Sequence, residues 1–172
     1  TRTIAAAASD ADYTLFVDAD NVPFPRMVER FCDAIAASGD DCLTCYMRAF
    51  RGDSAPYELD RENGAGPAKM RVTAKTYFEY LPLGAALDLA LFENILGDAN
   101  FIVRREVFEK LGGFTVEQPW HRRIVHEDYA FLTRLAFAGY KLDVVPEPLF
   151  FYRCRRDSLS NSTDSYLNRM RV

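Results

Sequence analysis

The run Tyr13-Thr14-Leu15-Phe16-Val17 stops abruptly at Asp18, and that stop constrains the fold more than any other feature of the sequence. A run of five residues, rich in aromatic and β-branched side chains, suits a strand covered on both faces, as in an α/β sheet. Asn21-Val22-Pro23-Phe24-Pro25 then reads as a turn into a helix, because Met27, Val28, Phe31 and Ile35 recur at helical spacing until Ser38-Gly39-Asp40 stops them. Cys42 to Phe50 is the next strand, and the polar stretch 51–67 is expected to be a mobile loop. Behind Pro82 and Gly84 the pattern predicts a helix across Ala85 to Ile95, a short strand from Ala99 to Val103, and a helical turn from Arg105 to Leu111. Glu127 to Ala138 carries Phe131, Leu132, Leu135 and Ala138 on a helical period, with Gly139 placed as its C-terminal cap. Leu142 to Val145 gives a strand before Pro146, Leu149 to Tyr152 extends it, and 153–172 reads as a polar tail. Strand alternating with helix predicts an α/β layered fold, and ligands in such sheets bind beyond the carboxyl ends of strands, where Asp18 and Asp20 fall.

A chain of 172 residues suits one domain spanning 1–172. Its 21 Lys+Arg against 25 Asp+Glu give no electrostatic reason for a nucleic-acid partner, and no apolar run approaches the ~18 residues of a membrane span. The opening Thr1-Arg2-Thr3 has no Met, basic region or apolar stretch, so no signal peptide is expected and a fragment is favoured. Cys42 and Cys45 have C-x-x-C spacing, but Cys32 and Cys154 do not form a second ligand pair. Residues three apart on a strand face opposite sides, so buried, reduced thiols in a reducing cytoplasmic setting are expected instead.

Chemistry concentrates in two acidic motifs. In Phe16-Val17-Asp18-Ala19-Asp20-Asn21, extended backbone would set both carboxylates on one side, where a hard cation such as Mg²⁺ or Mn²⁺ relieves their repulsion and recruits phosphate oxygens. A strand end capped by turn-forming Asp and Asn explains the same six residues equally well. The second motif, His126-Glu127-Asp128-Tyr129, opens the clearest helix, where acidic residues commonly complement the helix dipole. Taken with the first motif, it offers a carboxylate able to accept a proton beside a metal-bound diphosphate.

The blocks FVDADN, YLPLGAALDLALFEN, GDANFIVRREVFEKLGGF and HEDYAFLTRLAFAGYKLDVVPEPLFFYR together resemble the inverting family 2 glycosyltransferases, in order and approximate spacing, over roughly residues 2 to 160. The resemblance implies a GT-A fold, a mixed central sheet flanked by helices. It implies transfer of a sugar from a nucleoside-diphosphate donor to a hydroxyl of a saccharide or glycoconjugate acceptor, with inversion, in surface polysaccharide or glycoconjugate synthesis. Asp18 and Asp20 would hold Mn²⁺ or Mg²⁺ and the donor, Asp20 chiefly the metal, with Arg2 near the donor. Asp128 would be the base, and Glu127 would orient acceptor or backbone. Gly97, Asp98 and Asn100 match the block lining the acceptor side, and Trp120, the only Trp, could stack on a sugar or pack under its loop.

The family's GT-A domain begins with strands and helices that this sequence lacks, so the resemblance implies weak nucleotide binding by this chain alone and a sheet edge open to self-association. It also implies a cytoplasmic enzyme, at the inner face of the membrane in the full-length protein. Some members place a metal-binding His near the C-terminus, whereas Tyr152-Arg153-Cys154-Arg155-Arg156 stands here. Two other readings compete. A haloacid-dehalogenase-like phosphatase also follows a strand with D-x-D, but expects Gly-Thr where Asn21-Val22 stands. A non-catalytic glycosyltransferase-like binding module would have no need of all four acidic residues.

Overall fold

A computed structural model describes residues 2–60, 69–114 and 127–155. Helix α1 (Arg2–Ala7) leads into β1 (Tyr13–Leu15), β2 (Val22–Pro23), α2 (Met27–Ser38) and β3 (Cys42–Phe50). After these come β4 (Tyr57–Asp60), β5 (Lys69–Val72), β6 (Phe78–Tyr80), α3 (Leu87–Ala90), β7 (Ile102–Arg104) and α4 (Arg105–Lys110). Helix α5 (Glu127–Phe137) and strand β8 (Leu142–Arg153) complete the described chain. The main sheet runs β1-β7-β3-β8-β2, with β6 also on β3. It is mixed: β3 and β8 are parallel, and the other pairs are antiparallel. Strand β1 stands at one end, without a strand on its outer edge among the described residues.

Alternation along β3 decides what each sheet face buries. Cys42 packs with Phe101, Val103, Phe131 and Leu135, while Leu43, Cys45, Met47 and Ala49 pack with Met27, Phe31 and Phe150. The two cysteines of the C-x-x-C spacing therefore lie in different cores, as the two-residue period of a strand requires. All four cysteines are free.

Helices α2 and α5 form where expected. Gly39 closes α2 in the left-handed conformation, its N–H donating to Ile35 O, and Gly139 takes a positive φ of 82° two residues past α5. Three segments differ from the sequence reading. Within 51–67, expected as loop, Tyr57–Asp60 is a strand paired antiparallel with Lys69–Val72, and residues 61–68 lie outside the described part. The helix expected across Ala85 to Ile95 shrinks to Leu87–Ala90. Its N-cap position, Ala86, has no side chain to satisfy the first N–H groups, and Leu89, Leu91 and Phe92 are exposed. Leu83 N–H donates to Ile95 O at 2.8 Å, closing the segment as a loop that delivers Leu96 to the core. Finally, β8 runs unbroken through Pro146 and Pro148. Its register on β3 slips between Cys45 and Met47, an irregularity that tolerates residues lacking an N–H. Residues 156–172 of the expected tail lie outside the description.

Five phenylalanines knit the first core. Phe16 lies with its ring centroid 4.9 Å from Phe108 and 5.3 Å from Phe101. Phe131 stacks on Phe101 at 5.7 Å and sits 5.0 Å from Phe108. Phe114 packs edge-on against both Phe16 and Phe131. Phe131 is fully buried, so Phe131→Ala is expected to cost about 3–5 kcal/mol, read as a lower urea midpoint with unchanged slope. A loss below ~1 kcal/mol would show that this cluster does not hold the fold.

Candidate functional site

The acidic turn hangs from the sheet by a short ladder. The last main-chain rung joins Phe16 N–H to Phe101 O at 2.9 Å, and two residues later Asp18 N–H donates to the side-chain Oδ1 of Asn100 at 3.0 Å. Asn21 N–H then donates to Asp18 O at 3.1 Å, closing a turn over Ala19 and Asp20. Asp18 and Asp20 thus do not share one face of an extended strand, as their spacing suggested, because the strand ends at Leu15 and the chain turns between them. Asp18 is left half-buried and Asp20 exposed. Arg153, at the end of β8, holds the far side of the turn. Its Nε donates to Asp20 O at 3.1 Å and its backbone N–H to Asn21 Oδ1 at 3.2 Å. Its guanidinium also bonds Gly52 O and lies 4.7 Å from the Phe50 ring centroid.

Arg2 joins the two acidic motifs. From α1 it pairs with the Asp18 carboxylate and with Glu127 Oε1, the latter at 3.0 Å. Both pairs are part-exposed, so each contributes at most about 1 kcal/mol; their effect is on placement. Burial raises the Asp18 carboxyl above its usual range, outweighing Arg2, and the charges of Asp20 and Glu127 add to the rise. The residues 125 positions apart in sequence, Arg2 and Glu127, are therefore in one site.

Asp98 and Asp128 form a second carboxylate group. Burial pushes the Asp98 carboxyl from 3.8 up to about 7, the Asp128 charge adds to this, and hydrogen bonds from Asn100 act against it. Tyr80 is raised by burial and then by Asp98 and Asp128; its hydroxyl donates to Asn94 O at 3.0 Å and lies 3.3 Å from Gly97 O. No sequence signal pointed to Tyr80, since β6 is only three residues long, nor to Arg153 as the brace of the Asp20 turn.

Gly97 is required by packing. A Cβ built there would lie 2.3 Å from Thr44 Cγ2 and 3.2 Å from Leu132 Cδ1, at a φ of +156°. Gly97→Ala is expected to destabilise by about 1–3 kcal/mol. Adding Thr44→Ser, which removes Cγ2, should restore part of this loss in thermal unfolding; strict additivity of the two changes would contradict the contact.

Trp120 lies outside the described residues. Among the described residues no three His, Cys, Asp or Glu side chains gather closely enough to hold a metal by themselves. The donor set fits a hard cation that also takes ligand oxygens: Asp18 and Asp20 are oxygen donors, and the charge on Asp20 disfavours ionisation of Asp18.

The linkage at Asp98 has a definite sign. Between about pH 4 and 7 the native state holds a proton on Asp98 that the unfolded chain has released, so stability falls as pH rises through this window. Asp98→Asn removes this group's contribution, so the variant should gain on the wild type from pH 4 to 7 when denaturant midpoints are compared without nucleotide or metal. A constant difference across that range would refute the assignment.

Residues 1–112 match the family described as Glycosyl transferase family 2, about two thirds of the chain; Glu127 and Asp128 lie beyond the matched span. No curated protein matches the sequence significantly. Among solved structures, S. aureus TarS 1–349 in complex with UDP-GlcNAc superposes with a TM-score of 0.62 at 14% identity, covering 99% of this chain and 44% of that one. S. aureus TarS 1–349 without a named ligand gives 0.57 at 14%, covering 88% and 39%, and its complex with UDP gives 0.56 at 13%, covering 90% and 39%. The chain thus spans less than half the length of these structures, and the likeness shows the fold, of the GT-A type.

Proposed function

This chain belongs to glycosyl transferase family 2, and from that premise we propose that its site transfers a sugar from a nucleoside-diphosphate donor to an acceptor hydroxyl with inversion. The observation that carries the reading is the Arg2 bridge, which links the Asp18–Asp20 turn to Glu127 at the start of α5. One acidic group then faces donor and metal, and the other faces the acceptor. A divalent cation, Mn²⁺ or Mg²⁺, on Asp20 and Asp18 would stabilise the charge that grows on the departing diphosphate.

The remaining steps belong to side chains of this protein. Asp128 accepts the proton of the acceptor hydroxyl as that oxygen forms a bond to the anomeric carbon. The bond from this carbon to the diphosphate oxygen breaks, and its electron pair leaves with the diphosphate. A single displacement inverts the anomeric configuration. Glu127, held by Arg2, orients the acceptor side. A nucleotide-sugar complex in the S. aureus TarS structure supports the donor class, and family membership sets the phosphatase reading aside. The donor sugar, a saccharide or glycoconjugate acceptor and a role in polysaccharide synthesis are part of the proposal. No helix among the described residues is long and apolar enough to cross a membrane, and the free thiols support a reducing, cytoplasmic setting.

Calorimetric titration of UDP and GDP, with and without Mn²⁺, tests the donor half. Metal-dependent binding is expected in the wild type and lost in Asp20→Ala. In the full-length protein, Asp128→Asn should keep nucleotide affinity while turnover drops by about 10²–10⁴. Binding that ignores both Mn²⁺ and the Asp20 substitution would sink the proposal.

A further inference from the structure

Asn100 is 1% exposed, and both ends of its side-chain amide are used inside the protein. Oδ1 accepts the Asp18 N–H at 3.0 Å, and Nδ2 donates to Asp98 Oδ1. The Asn100 backbone N–H donates to that same Asp98 oxygen at 3.1 Å. Two N–H donors converge on one Asp98 oxygen, which must therefore act as an acceptor. The amide consequently has one workable orientation. Flipped, it would set N–H against N–H at Asp18 and oxygen against oxygen at Asp98.

The position of this contact in the sheet gives it its consequence. The register pairs Leu15 with Ile102, and the main-chain ladder ends with Phe16 N–H on Phe101 O. Asp18 is beyond that end. Its N–H is bonded instead by the Asn100 side chain, which adds one rung that the two backbones do not make. We infer that Asn100 and Asp98 are positioning residues: Asn100 fixes the Asp18 carboxylate by holding its N–H, and Asp98 holds the Asn100 amide in the orientation that allows it. This rests on reading Asp18 as a donor-site carboxylate. Asp98 also lies within the field of Asp128, so the same three-residue segment touches both halves of the site. Asn100 thus acts on the donor side from within the protein.

Exchange of the two side chains tests the relay. In the full-length protein above pH 7, where Asp98 has lost its proton, Asn100→Asp places one carboxylate against another. The expected results are faster hydrogen exchange at the Asp18 amide, read by NMR, and a Mn²⁺-dependent UDP affinity about tenfold weaker, the scale of one such hydrogen bond. Combining it with Asp98→Asn exchanges the two groups, lets the new amide donate to the new carboxylate, and should restore both readouts. Asn100→Leu, of similar size, should release the Asp18 amide with no rescue by the Asp98 change. An Asp18 amide that stays protected in folded Asn100→Leu and Asn100→Asp overturns the inference. So does released protection with unchanged UDP affinity. If the wild type binds no nucleotide with Mn²⁺, the donor reading falls, and amide exchange still decides whether the relay exists.

Discussion

Burial of the aromatic cluster around Phe16 and Phe131 is the constraint on which the site depends. Phe16 precedes Asp18 by two residues, and Phe131 follows Glu127 by four, about one helical turn. Both rings pack against Phe101 and Phe108, so the end of β1 and the start of α5 cannot move apart without opening that core. The ion pairs of Arg2 are too exposed to impose such an arrangement. They act within a separation that apolar packing has already set.

Where apolar period and length agreed, the sequence was readable. Strand β3 spans Cys42–Phe50 and α2 ends at Ser38 before Gly39, both as their patterns indicate, because each buries a face whose spacing is fixed by local geometry. Segments whose hydrophobic residues serve no single face were not readable. Leu89, Leu91 and Phe92 look like part of a helix yet remain exposed, and the β4–β5 pairing occurs in a stretch whose composition suggests only loop. For β8, proline reads as an interruption, whereas a slip in register carries the strand past it.

The candidate site was legible in its residue types and less so in its geometry. Asp18, Asp20, Glu127 and Asp128 stand out as acidic residues at element ends, a pattern visible in one dimension. Their connections do not. A hydrogen bond from Asp18 N–H to a side chain 82 positions away, or a guanidinium braced on backbone carbonyls, depends on how strands pair. The turn at Ala19 and Asp20 illustrates the gap: alternation rules hold only while the ladder continues, and its last main-chain rung is at Phe16, two residues before Asp18.

The parallel pairing of β3 with β8 has a consequence for the order in which the protein is made and folds. Cys42 pairs with Leu142, a hundred positions later, and the rung that closes behind Asp20 comes from Arg153. During synthesis, the Asp18–Asp20 turn leaves the ribosome long before either of its long-range supports. Until β8 has been made, β3 lacks its parallel neighbour and carries an unpaired edge, the kind of surface that invites association between chains. Pairing over such a separation also closes a large loop, which slows folding relative to local contacts. The nascent domain therefore becomes competent from the C-terminal side, with the acidic turn made well before the strand that fixes it.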